Sequence, residues 1–282
     1  MASVRVKIYG QAGGMDSIGP KGPKAPKTWD GLSGLLDFSS VMVMRGVSGM
    51  PETTAKVTAA TRMTDALSGL LGASPVREGP AGLKGRGVFA TRAVRRGEVC
   101  TAYPCDMLNV TDGGGARMMG LTKVDGSAPA GEGDVSRLLK YAQFLRRDES
   151  GRMWELIGDP SRPFRAGACG HLINDPHPDA RTIQKATDGC SEAYGREMIK
   201  YLSSVTGRAN CVMKPHRSGM CVLVVAARDI ADGEELLAPY GYEYWSDAAD
   251  PGRMLTEFSR TRTAKQAKAL RAVIAPYVAL SD

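Results

Sequence analysis

The chain has 282 residues, of which 43% are hydrophobic and 24% are charged. This length suits one large domain or two small ones, and the composition excludes a disordered chain, a collagen and a coiled coil. No apolar run reaches the roughly 18 residues of a membrane helix, and the N-terminus carries no apolar signal region. We therefore expect a nuclear or cytoplasmic protein that is neither membrane-bound nor secreted. The 34 glycines, against 5 Phe and 3 Trp, predict many turns and short strands.

The net charge of +7 comes from the two ends of the chain. Residues 1–80 carry nine basic and six acidic side chains and residues 251–282 carry six and two, whereas residues 81–250 carry 22 of each sign. A basic end can contact nucleic acid, and a solvated basic helix face is the alternative interpretation. Nucleic acid therefore stays an alternative partner and is not expected as the main function.

The cysteines and histidines do not form a metal-binding pattern. None of the six cysteines lies at C-x2-C spacing, and there are only three histidines, so no metal site is predicted. Reduced thiols are expected in the absence of a secretory signal. His171 and His216 have no partners at ligand spacing and are interpreted as surface or core histidines.

The first 75 residues contain three short predicted elements and one loop. Alternation at period two predicts strands over residues 4–8 and 40–48, and a Pro/Gly/Lys stretch predicts a loop over 19–27. Apolar residues at helical spacing predict a short helix over 63–72.

After Pro75 the pattern changes to strands, loops and longer helices. Strands are predicted over 85–94, 98–103 and 220–230. Their turns are predicted at Arg96-Gly97 and at Ala231-Asp232-Gly233. A glycine-rich stretch predicts a mobile loop over 111–135. Helices are predicted over 137–147 and 191–205 and, as one or two basic amphipathic helices, within 254–277.

Three segments, in a fixed order, carry the functional signal. The first runs from Lys84 to Thr91 (KGRGVFAT) and continues with GEVCTAY at 97–103. The second is GHLINDP at 170–176, with RANC downstream at 208–211. The third is ARDIADGEELLAPYGY at 227–242. This arrangement resembles the SET-domain protein lysine methyltransferases, over about residues 80–246.

The resemblance implies a SET-type β-clip fold, mainly β with α insertions (α+β). It implies a pseudoknot in which the segment bearing Tyr240 passes close to the Asn174 loop. The SET domain would cover residues 76–250, with a variable insert at about 106–165 and a second insertion at about 177–209. Residues 1–75 would be an accessory N-terminal extension. Residues 251–282 would form a basic helical flank.

The same resemblance implies S-adenosylmethionine as cosubstrate and a lysine of a histone or another protein as methyl acceptor. The implied catalytic residues are Tyr240, Tyr103 and Tyr242. The implied cofactor-binding residues are Arg86, Gly87, Asn174, Asp175, Tyr240 and Trp245.

The residue types suit this chemistry. Glycine lets a backbone approach a ligand closely, and an asparagine amide both donates and accepts hydrogen bonds. Methyl transfer needs a neutral amine, whereas free lysine has a pKa of about 10.4, so an aromatic channel beside a sulfonium would favour the reactive form. The alternatives are a tight turn for Gly87, a turn residue for Asn174 and core packing for each aromatic residue.

Several features depart from the family pattern. Asp175 follows Asn174 where the family commonly has histidine, and Met213 stands where an aromatic residue often sets the number of methyl groups. About 33 residues separate Pro176 from Asn210, and a helix is predicted within them. A catalytically inactive SET fold that binds a peptide or serves as a scaffold is the main alternative, and a homodimer stays open. Glu234 and Glu235 are predicted to be solvated charges.

Overall fold

The computed structural model describes residues 52–71, 74–111, 118–123, 132–149, 151–177, 191–216 and 219–245, together with residue 272. The predicted strands at 4–8 and 40–48, the predicted loop at 19–27 and, apart from residue 272, the predicted C-terminal helices lie outside these ranges. No helix within the described ranges is both long enough and apolar enough to cross a bilayer.

The described part of the chain contains many short strands and few helices, as the sequence predicts. The helices are α1 (Glu52–Leu70), α2 (Glu132–Leu139), α3 (Ser191–Arg208) and α4 (Tyr242–Trp245). The strands are β1 (Val76–Pro80), β2 (Arg86–Ala90), β3 (Val99–Ala102), β4 (Met107–Thr111), β5 (Met118–Lys123), β6 (Ala142–Arg147), β7 (Met153–Ile157), β8 (Cys211–Pro215) and β9 (Val222–Ala226).

These strands form three small antiparallel sheets, with orders β1-β2, β3-β9-β8 and β5-β4-β7-β6. Strand β9 lies in the middle of its sheet, and all five of its residues are buried, which explains its continuous apolar sequence. The predicted turns are present, because Gly97 and Gly233 have φ angles of +80° and +76° that glycine adopts without strain. The mainly β fold with helical insertions is therefore confirmed.

Helix α1 packs directly against the sheet that contains β9. Its buried residues Ala59, Met63 and Leu67 share a hydrophobic cluster with Val99 and Leu223. The predicted helix over 63–72 is thus present, but it begins earlier, at Glu52. Part of the N-terminal extension therefore contributes to the main core.

Two secondary-structure predictions in the middle of the chain are wrong. The helix predicted over 137–147 ends at Leu139, and strand β6 follows from Ala142, because pairing with β7 overrides the helical spacing. The stretch over 111–135, predicted as one loop, contains β5 and the start of α2. Strand β5 exists because β4 offers it a pairing edge, which a composition-based prediction cannot detect.

Candidate active site

The third motif segment lies against the second one. Asn174 and Leu237 form a parallel bridge, and the N–H of Ala238 donates to the carbonyl of Asn174 at 3.0 Å. The Tyr240 hydroxyl donates to the carbonyl of Ile173 at 2.7 Å. Residues 173–175 and 237–240 therefore run side by side, which is the proximity that the resemblance predicts.

Asn174 joins all three motif segments through its side chain. Its amide Nδ2 donates to the carbonyl of Arg86 at 3.0 Å and to Glu235 Oε1 at 2.9 Å. A Cβ atom on Gly87 would lie 2.8 Å from that Glu235 oxygen and 3.0 Å from Asn174 Nδ2. Only glycine fits at position 87 without displacing this junction. The Arg86 side chain points elsewhere, with an ion pair to Glu78 and a hydrogen bond to the carbonyl of Pro160 at 2.8 Å.

The two glutamates of the third segment are structural, contrary to the prediction of solvated charges. Glu234 accepts hydrogen bonds from Arg228 at 2.7 Å and from the N–H of Ala231 at 2.9 Å. Glu235 accepts the Asn174 amide. Both side chains are half-buried, and they hold the turn and the junction in place.

Tyr103 and Tyr240, which the sequence places 137 residues apart, line the same pocket. The Tyr103 hydroxyl donates to the carbonyl of Tyr141 at 2.6 Å. Burial raises the pKa of Tyr103 and of Tyr240 well above the usual range of a phenol. Both phenols are therefore neutral donors near pH 7.

The pocket is a small cleft that opens to solvent. Aromatic rings form much of its wall, and the lining residues are Tyr103, Lys140, Tyr141, Ala142, Gln143, Gly170, His171, Ile173, Met213, Tyr240 and Tyr244. No described lining residue is acidic. Met213, which the motif comparison singled out, is among them.

His171 is a pocket residue that the sequence did not identify. Its ring meets those of Tyr103 and Tyr141 edge-on, with centroid distances of 6.3 and 6.5 Å. Neither ring nitrogen has a hydrogen-bond partner among the described residues, although both are buried. Burial lowers the pKa of His171 to about 4, so the imidazole is neutral near pH 7.

Helix α4 adds further aromatic rings beside Tyr240. The Trp245 ring stacks on Tyr240 at 5.7 Å, and Tyr244 meets both rings edge-on at 4.8 Å. The Trp245 Nε1 atom is buried and has no partner within the described ranges. Tyr242 begins this helix, and its side chain lies outside what the structure describes.

Asp175 is fully committed to contacts within the protein. Its carboxylate accepts the N–H groups of His177 and Tyr240 and the hydroxyl of Tyr201. The cofactor contact predicted for Asp175 stays a prediction. Tyr201 lies on α3, and its spacing there indicates only a core position, so the sequence gives no sign of this contact.

Comparison with known proteins bears on the same residues. The SET domain family model matches residues 85–241. No curated protein matches the chain significantly. Similar solved structures include a candidate histone methyltransferase from Plasmodium falciparum, with 14% identity, a TM-score of 0.30, and coverage of 61% of this chain and 97% of that one.

The ATXR5 SET domain in complex with a dimethylated histone H3 matches with 17% identity and a TM-score of 0.31, over 59% of this chain and 57% of that one. ATXR5 in complex with a monomethylated histone H3.1 matches with 16% identity and a TM-score of 0.31, over 59% and 56%. The family match covers more than half of the chain and includes all three motif segments apart from Lys84 and Tyr242 at their outer ends. The chain belongs to the SET-domain family.

Proposed function

We propose that the protein is an S-adenosylmethionine-dependent protein-lysine N-methyltransferase. The observation that carries the proposal is the aromatic pocket next to Tyr240, whose hydroxyl is fixed by the carbonyl of Ile173. Family membership supports the reaction type, and the pocket supports an acceptor that is long, apolar and ends in an amine.

The residues around Gly87 fit the cosubstrate. The methionine end of S-adenosylmethionine carries one ammonium and one carboxylate, and when bound the cosubstrate supplies an electrophilic methyl group on a positively charged sulfur. Glu235 and Lys84 offer one charge of each sign here, and Lys84 already donates to the carbonyl of Asp175. The missing side chain at Gly87 leaves room for Glu235 and Asn174, which would meet the methionine end of the cosubstrate. Trp245, whose indole N–H has no partner among the described residues, is the proposed contact for the adenine.

The pocket suits a neutral amine. The phenols of Tyr103 and Tyr240 and the His171 imidazole, which line the pocket, are uncharged near pH 7. A protonated lysine would meet no acidic partner among the described lining residues. Loss of its proton to solvent would free the lone pair that attacks the methyl carbon, and the electron pair of the carbon–sulfur bond would leave with the sulfur.

The proposed acceptor is a lysine of a histone or of another nuclear or cytoplasmic protein. The basic ends of the chain provide no electrostatic attraction for a basic histone tail, so both classes of protein belong in the test.

The test combines binding with transfer. Calorimetry measures the affinity for S-adenosylmethionine, and radiolabelled S-adenosylmethionine is then incubated with purified protein, histones and total host-cell protein. Tyr240→Phe is the control. Label in a protein band that requires the Tyr240 hydroxyl supports the proposal. Absence of both binding and label overturns it in favour of a non-catalytic SET fold that binds a peptide.

A further inference from the structure

The carboxylate of Asp175 is the centre of a buried hydrogen-bond network. The residue is 3% exposed, and Oδ2 accepts the Tyr240 N–H at 2.8 Å and the Tyr201 hydroxyl at 2.7 Å. Oδ1 accepts the N–H of His177 at 2.7 Å. A buried carboxylate is tolerated only when such donors replace water.

Tyr201 completes this network from helix α3. The side chain is 0% exposed, and its hydroxyl donates to Asp175 while accepting the N–H of Gly241 at 3.0 Å. The ring stacks on His177 at 5.7 Å with an interplanar angle of 24°. The hydroxyl therefore links α3 to the second motif segment as a donor and to the third motif segment as an acceptor.

Two successive backbone N–H groups therefore donate to one Asp–Tyr pair. The N–H of Tyr240 donates to Asp175, and the N–H of Gly241 donates to the Tyr201 hydroxyl. Gly241 has a φ angle of +94°, so the chain turns immediately after Tyr240 in a conformation that an ordinary residue rarely adopts. The N–H groups in such a turn need partners outside regular secondary structure. Asp175 and Tyr201 supply them, and the aspartate does so where the family commonly has histidine.

We propose that Tyr201 is a positioning residue for Tyr240, acting through Asp175 and the Gly241 N–H. Helix α3, which carries Tyr201, would then help to orient Tyr240. The kinetic consequence rests on the proposed methyl transfer, whereas the structural consequence does not. Misplacing a reacting group by about 1 Å can cost about 100-fold in rate. A looser turn at Tyr240 should therefore lower kcat more than it lowers the affinity for either substrate.

Tyr201→Phe removes only the hydroxyl and keeps the ring on His177. Hydrogen–deuterium exchange of the Tyr240 and Gly241 amides is the first measurement, and we expect it to be about tenfold faster in the variant. Exchange in strand β9 should stay unchanged. The matched control is Thr206→Val on the same helix, which removes a hydroxyl that donates to Leu202 at 2.8 Å and does not contact Asp175.

Unchanged exchange in Tyr201→Phe overturns the inference. If that variant does not fold, the native protein still provides a test. Its Tyr240 and Gly241 amides should be as protected as those of β9, and exchange at the rate of an open loop overturns the inference.

The kinetic measurement separates positioning from a general loss of stability. We expect kcat to fall about 10- to 100-fold while KM for both substrates changes by less than about threefold. In an Asp175→Ala background, Tyr201→Phe should add little further loss, because both residues act on the same turn. Equal, additive losses would contradict action through Asp175. If native protein transfers no methyl group, the proposed function fails, and the exchange experiment still decides the role of Tyr201.

Discussion

The side-chain oxygen of Asn210 accepts the backbone N–H of Leu237 at 2.7 Å, across 27 residues of sequence. Its Nδ2 donates to the carbonyl of Glu235 at 2.7 Å and to Glu234 Oε1 at 3.0 Å. Asn210 therefore holds the third motif segment from the side opposite Asn174. This buried amide adds to the isolated bridges that the segment forms with Phe89 and Asn174.

Asn210→Ala should lower the free energy of unfolding by about 2 kcal/mol or more, because it leaves the buried Leu237 N–H without a partner. Urea denaturation of the variant and the native protein measures this difference. Asn210→Asp keeps the acceptor but places a buried carboxylate against Glu234 Oε1 and the carbonyl of Glu235, so a loss at least as large is expected. A loss below about 0.5 kcal/mol for Asn210→Ala would contradict this role.

Leu67→Ala tests whether helix α1 belongs to the main core. Leu67 is fully buried in the cluster that contains Leu223, so truncation should cost about 2–5 kcal/mol. Ala66→Ser, at an exposed position of the same helix, should change stability by less than about 0.5 kcal/mol. Equal midpoints for Leu67→Ala and native protein in urea would mean that α1 is dispensable.

His171 should make the protein sensitive to acid. Its pKa is lowered to about 4 in the folded state, whereas an unfolded imidazole titrates near 6.5. Between these values the unfolded chain binds a proton that the folded protein does not. The free energy of unfolding should therefore fall by up to about 3 kcal/mol from this residue as the pH is lowered from about 6.5 to about 4.

His171→Phe keeps an aromatic ring against Tyr103 and Tyr141 and removes both ring nitrogens, which have no partner among the residues that the structure describes. The variant should be at least as stable as native protein at pH 7 and should lose less stability at pH 4. Urea denaturation at both pH values measures the difference between the two proteins. Parallel pH profiles would contradict a buried neutral imidazole.

Gly87→Ala should weaken S-adenosylmethionine binding about tenfold or more, because the new Cβ must displace Asn174 or Glu235. Calorimetry measures the affinity, and thermal unfolding checks that the variant is folded. Gly69→Ala is the matched control, since nothing lies within 4 Å of a Cβ at that helical position. Native affinity in a folded Gly87→Ala protein would mean that the junction of Gly87, Asn174 and Glu235 is not part of the cosubstrate site.

The order of the three motif segments was sufficient to predict the SET fold. Regular periodicity also predicted α3 and β9 well, since a long amphipathic helix and a fully buried strand have unambiguous patterns. None of the four strands of the β5-β4-β7-β6 sheet was predicted, because these strands exist through pairing with one another. Tyr141 and β6 illustrate this, because their apolar spacing fits a helix until β7 is present as a partner.

Some residues of the candidate site could be predicted from the sequence, and others could not. Tyr103, Gly87, Asn174 and Tyr240 lie within recognisable motifs. His171 lies within the second segment, GHLINDP, but a lone histidine does not indicate a pocket role, and Tyr201 resembles a core residue of an amphipathic helix. Their contacts arise only when segments distant in sequence meet.

The most direct measurement locates the transferred methyl group. Native protein and Tyr240→Phe are incubated with S-adenosylmethionine carrying a deuterated methyl group and with histones or host-cell proteins, and tandem mass spectrometry maps the label. Methyl transfer to lysine predicts a deuterated methyl on a lysine Nζ with native protein and at least about 100-fold less with the variant. No label, or label on a different type of residue, would contradict a protein-lysine methyltransferase.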